Sequence, residues 1–261
     1  MGVAHFAVVN VDLWWRAAYR RMVNSSFRTV PLYREQWALI GRTDPEMVPG
    51  RRGVHSGAIQ LGEVLRRLVD AVPLAGGTAL VDPARGLGPV LAARDSFRGN
   101  GIVVILDKAE VLPPTDLPRG VVGCVADPSA LSESAWLSVT NAVRRGVTVV
   151  AVGTDKQLAE LTAVLPDELA PRLDLVPRRT LHELDSGPHG VLHDPTLGYL
   201  GVLRQCGRWH LDWPRVYARE TDAGLAFTLL RQHSPRFVDL LVGGGGTLAR
   251  CPRHGTPVVL P

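Results

Sequence analysis

Two short stretches near the end of this 261-residue chain carry side chains that bind soft metals. CGRWH runs from Cys206 to His210, and CPRHG contains Cys251 and His254. The chain has only three cysteines, and two of them lie within four residues of a histidine. A structural zinc site needs four thiolate or imidazole ligands in tetrahedral reach, usually as two pairs on two turns. Both pairs sit in turns containing Gly or Pro, and the stretch between them is long enough for two hairpins to bring them together. A set of two thiolates and two imidazoles suits zinc over magnesium or calcium. Four protein ligands leave no open position, so such a zinc would be structural. The competing explanation is two buried thiols beside unrelated surface histidines, since the chain has eight histidines.

Residues for catalysis are less concentrated. HELDSGPHGVLHD gathers His182, Glu183, Asp185, His189, His193 and Asp194. His189 and His193 are the candidates for a general base, the centre of a hydrolase or acyltransferase. The same residues are ordinary content of a polar loop, which fits them better. GVHSG, from Gly53 to Gly57, falls short of the nucleophile elbow G-x-S-x-G, and no strand precedes it. AGGTAL lacks the Lys-Ser/Thr of a phosphate loop. Thr154 and Asp155 in VGTDKQ stand where a strand ends, a place where α/β sheets bind ligands, but they also suit a helix N-cap. Cys124 lies in an apolar strand with no cationic neighbour to activate it.

Composition narrows the classes. A hydrophobic fraction of 46% and a charged fraction of 21% describe a globular chain with a full core. Net charge is +4, but the basic residues are scattered and aromatic residues make up only 6%, so no nucleic-acid partner is expected. Charges interrupt every apolar run well short of the ~18 residues of a membrane span, and no basic segment opens the chain, so neither a span nor a signal peptide is expected. An odd, small cysteine count points to a reducing compartment, the cytoplasm.

The elements that must position these residues fall into two groups. Helical periodicity predicts helices from about Val11 to Phe27, over VPLYREQWALIG and over AIQLGEVLRRLVDAV. TALVD, GIVVILD, GVVGCVA and VTVVAVG then read as apolar strands, alternating with helices over GPVLAARDSF, SALSESAWLSVTNAVRRG and TDKQLAELTAVL. That alternation predicts an α/β core with a largely parallel sheet covered by helices. From about His189 the pattern becomes short and alternating: GVLHD, RWHLDW, RVYARE, LAFTLLR and RFVDLLV predict an antiparallel β-meander. The expected division is residues 1–188 as the α/β core and 189–261 as a β-rich subdomain stapled by zinc.

Both ends of the chain resemble one family. VPLYREQWALIG is similar to the N-terminal signature of phenylacetate–CoA ligase-like members of the adenylate-forming ligases. GYLG, QCGRWHLDW, LAFTLLRQHSPRFVD and CPRHG follow the order of that family's later segments. Some members hold a structural zinc through such positions; the resemblance matches Cys206, His210 and Cys251 to ligands, with His254 replacing a cysteine. The same comparison implies losses. The phosphate loop is not reproduced in PGRRGVHSGAIQLG. Tyr199 survives in GYLG, but Leu200 and Gly201 replace the family's Thr-Glu. SPRFVDLL lacks the Arg-Tyr-x-x-Gly-Asp that holds the ribose, and the chain ends at Pro261, before the mobile domain with the catalytic lysine. The resemblance therefore implies a shrunken, non-adenylating relative with structural zinc and no ATP. Its expected role is that of an accessory or binding protein in bacterial secondary metabolism of the polyketide or aryl-acyl kind, including antibiotic biosynthesis. Partners would be a pathway enzyme, an acyl carrier protein or an acyl or aryl small molecule. The alternative is an acyltransferase, hydrolase or reduced acyl-CoA ligase with a relocated site at His189 and His193.

Overall fold

The structure, a computed structural model, describes residues 11–39, 57–93, 100–108, 112–127, 133–166, 168–184 and 190–261. It is a mixed α/β protein that packs as two compact units, Met1–Leu80 with Trp213–Val259 and Val81–Asp212 with Leu260–Pro261.

In the first unit, α1 (Val11–Thr29) and α2 (Pro31–Leu39) precede a two-residue strand β1 (Ile59–Gln60) and α3 (Leu61–Arg66). Trp15, Tyr19, Met22, Val23 and Ser26 recur at helical spacing and are the buried side of α1. Proline opens α2, where its missing N–H costs nothing. The helix expected over AIQLGEVLRRLVDAV is broken instead. Its first residues form β1, and Arg67 leaves helical geometry at φ −122°, ψ 35°, before a 3₁₀ turn at Leu68–Ala71. Of the residues whose spacing predicts the helix, Val64 is buried and Leu65 is exposed.

The later strands of this unit, numbered in chain order, are β9 (Val216–Thr221), β10 (Gly224–Leu229), β11 (Leu240–Leu241), β12 (Thr247–Arg250) and β13 (Pro257–Leu260), whose Leu260 falls to the other unit. A four-stranded sheet runs β1-β11-β10-β9, antiparallel except that β1 lies parallel to β11. Helix α1 is pinned to it. The indole N–H of Trp15 donates to the Val216 carbonyl at 2.8 Å, and Tyr19 stacks on Tyr217 with ring centres 4.1 Å apart. The hydroxyl of Tyr33 in α2 donates to the Arg236 carbonyl and accepts from the Val238 N–H, each at 2.8 Å.

The second unit contains α4 (Leu87–Ala92), β2 (Gly101–Leu106), β3 (Val121–Ala126), α5 (Glu133–Arg144), β4 (Thr148–Gly153), α6 (Asp155–Val164) and β5 (Leu173–Arg179). Strands β6 (Val191–Asp194), β7 (Gly198–Leu203) and β8 (Trp209–Leu211) follow. The strand order is β3-β2-β4-β5-β6-β7-β8. Pairs from β3 to β6 are parallel, and β6-β7-β8 are antiparallel. The sheet is therefore mixed, which corrects the expected largely parallel one. The expected meander likewise divides: β6 to β8 extend this sheet, while β9 to β11 belong to the four-stranded one.

Alternation along the strands explains why the apolar runs are unbroken. Val104, Leu106, Val149 and Ala151 face α5 and α6, packing with Val139, Val143, Leu158 and Leu161. Their neighbours Val103, Ile105, Val150 and Val152 face the other way, onto Leu87, Val90 and Leu91 of α4. A strand buried on both faces has no polar side to show. TALVD forms no strand: Thr78 and Leu80 are exposed, and the segment follows the turn at Gly76 and Gly77. Five strands escape the sequence: β1, which lies in an expected helix, the short β12 and β13, β5 because Pro177 and two arginines interrupt LDLVPRR, and β7 because GYLGVL follows a turn too closely to stand out.

Candidate metal centre

Cys206 lies on the β7–β8 turn. The N–H of Gly207 donates to the Arg204 carbonyl at 2.8 Å, and Gly207 adopts φ 70°, which a residue with a Cβ rarely tolerates. His210 lies on β8. Trp209 and Leu211 point to one side of that strand, so His210 points to the other. All three are buried, and His210 is held opposite Val202 of β7. The distance from Cys206 Sγ to His210 Nε2 is 3.0 Å.

Cys251 and His254 lie on the β12–β13 turn. Cys251 donates its N–H to the Thr256 carbonyl at 2.9 Å and accepts from Gly255 N–H at 2.8 Å, with Gly255 at φ 65°. Cys251 is buried and His254 exposed. Cys251 Sγ and His254 Nδ1 are 3.3 Å apart.

One ligand atom from each of Cys206, His210, Cys251 and His254 lies within 4.8 Å of all the others, so the four form a group that could hold a metal ion. Tetrahedral bonds of about 2.0–2.3 Å place neighbouring ligand atoms roughly 3.3–3.8 Å apart. Within each pair the observed 3.0 and 3.3 Å lie within about half an ångström of that geometry.

The other candidates do not converge there. His189 and Asp185 lie outside the described residues, as do residues 53–56 of GVHSG. His182 is exposed, and Glu183 folds back so that its carboxylate accepts from the N–H and hydroxyl of Thr180, at 3.1 and 3.0 Å. Asp194 accepts from the N–H groups of Thr196 and Leu197, both at 2.8 Å, which shapes the β6–β7 turn. Thr154 is the N-cap of α6, in a reciprocal capping box with Gln157. Cys124 packs half-buried against the core, and burial raises its pKa.

His193 belongs to a polar cluster that the sequence does not announce. Its Nε2 lies 2.9 Å from the Pro83 carbonyl, and its ring centre lies 4.5 Å from that of Tyr199. Burial first, then the nearby Arg178 charge, lowers its pKa to about 4. The carbonyl contact requires a proton on Nε2, so the ring is the neutral Nε2–H tautomer near pH 7. A base that weak takes protons poorly at neutral pH. Arg178, at the end of β5, donates to Asp107, at the end of β2, over 2.8 Å. Burial pushes the Tyr199 hydroxyl up to about 12.

Comparison with models of known protein families finds no match, and neither does comparison with curated proteins. Among the described residues no helix is long and apolar enough to cross a membrane.

Proposed function

We propose that this protein is a non-adenylating accessory or binding protein, related in descent to phenylacetate–CoA ligase-like enzymes, with a structural zinc at Cys206, His210, Cys251 and His254. One observation supports the loss of nucleotide chemistry most directly. Tyr199, the remnant of the family's nucleotide motif, is 1% exposed and packed against His193. Leu200 and Gly201, which replace Thr-Glu, are buried in the interior of β7. A side chain in that position cannot stack on an adenine, and Leu200 and Gly201 supply no carboxylate of their own to hold magnesium.

The zinc follows from donor chemistry. Two thiolates and two imidazoles are the ligand set that favours zinc among common cellular metals, and four protein ligands make a closed, non-catalytic site. The role in bacterial acyl or aryl secondary metabolism, and a carrier protein or pathway enzyme as partner, rest on the family resemblance.

Calorimetric titration with magnesium–ATP, CoA and a panel of aryl acids tests the proposal. Silence with magnesium–ATP is expected. Micromolar magnesium–ATP binding would overturn it.

A further inference from the structure

Helix α1 has two faces of opposite character. Its buried face is aromatic and apolar, while its solvent face carries Leu13, Trp14, Arg16, Arg20, Arg21, Asn24 and Arg28, all exposed. At 3.6 residues per turn the four arginines fall within an arc of about 140° and span about 18 Å of helix axis. The one acidic residue of the helix, Asp12, is bound to Arg250. Among the described residues none of Arg16, Arg20, Arg21 and Arg28 has a carboxylate partner; the exposed Arg250 and the half-buried Arg67 do.

We propose that this face of α1 is a docking ridge for an acidic helix on a partner protein. Four uncompensated charges on one face repel each other, and an opposing row of carboxylates relieves that. The cations are all arginine, whose planar fork pairs with carboxylates through two hydrogen bonds. The apolar end of the ridge selects a protein over other polyanions. Leu13 is 67% exposed, and Trp14, packed edge-on against Trp213, is 37% exposed. Exposed Trp and Leu beside arginines match the composition of protein interfaces, where Trp and Arg carry much of the affinity. A phosphate backbone offers nothing for Leu13 to bury against. A membrane would need the apolar face of the helix, and that face is occupied by the protein's own core. The ridge does not depend on the metal centre or on the fate of ATP.

The test uses the whole protein and a fluorescent, alanine-based helical peptide of about twenty residues. Glutamates along one face at i, i+4 spacing lead to a leucine patch. A second peptide of the same composition has its glutamates spread around the helix. Duplex DNA and phosphatidylglycerol vesicles complete the set. The expected result is preference for the patterned peptide by on the order of tenfold, weakening with salt. Arg20→Glu/Arg21→Glu should abolish that binding without changing the melting temperature, because among the described residues neither side chain makes a hydrogen bond or ion pair. Arg20→Lys/Arg21→Lys keeps the charge but loses the paired hydrogen bonds, and should bind more weakly than the wild type and more tightly than the glutamate variant. Equal affinity for the two peptides, no binding of either, or tighter binding to DNA or vesicles would overturn the proposal.

Discussion

His193 makes a residue-scale claim measurable. Its folded-state pKa, near 4, lies below the 6.5 of a free imidazole. Between those values the unfolded chain binds more protons than the folded one, so stability is fully present above about pH 6.5 and is lost as pH falls toward 4. From pH 7 to pH 5 the loss from this one group is about 2 kcal/mol. His193→Gln keeps a donor for the Pro83 carbonyl and cannot titrate. Urea unfolding at the two pH values should therefore show the wild type losing about 2 kcal/mol more than the variant. Parallel losses would mean that His193 is not held neutral by its surroundings. The residues facing it show what a sequence conceals. Arg178 and Asp107 lie 71 positions apart, and only the pairing of β2, β4 and β5 brings them together. The two Cys–His pairs were visible because each is local, set by one turn.

At the scale of elements, α1 is fastened to its sheet by a buried charge. Asp239 is fully buried and adopts φ 52°. Its carboxylate accepts from the Tyr19 hydroxyl at 2.9 and 2.7 Å and from Arg219 at 3.0 Å. Arg219→Met would leave that carboxylate buried without its cation and should cost about 3–5 kcal/mol in unfolding free energy. Adding Asp239→Asn removes the stranded charge, and asparagine tolerates positive φ. The double variant should thus recover much of the loss, as read by denaturant unfolding. A double variant no more stable than the single one would show that the carboxylate is not the source of the cost. Sequence patterning served well where one face of an element is buried, as in α1, or both are, as in β2 and β4. It failed at α3, where Arg67 breaks the helix that Leu61, Val64, Leu65 and Leu68 imply, because the periodicity of side chains says nothing of where the backbone turns.

For the whole molecule, the mixture of α and β was legible because apolar strands alternate with amphipathic helices. The assignment of strands to sheets was not. The short segments after His193 all alternate in the same way, and which edge each joins depends on partners far along the chain. The metal group carries a consequence for both of its turns. Each turn relies on a positive-φ glycine and few hydrogen bonds, so ligation should supply part of its order, since metal-binding free energy at such a site is folding free energy. Chelation with EDTA should speed amide exchange at Gly207 and Gly255 while Val103 to Leu106 and Val149 to Val152, in the interior of the sheet, stay protected. Unchanged exchange at both glycines after verified metal removal would remove the staple role.

The most direct test is elemental analysis of protein purified with zinc supplied and without chelators, for the wild type, Cys124→Ser and Cys251→Ser. Zinc ligation by Cys206, His210, Cys251 and His254 predicts about one equivalent in the first two and a large drop in the third. Zinc well below one equivalent in the wild type, or a Cys251→Ser protein that keeps its metal, would contradict it.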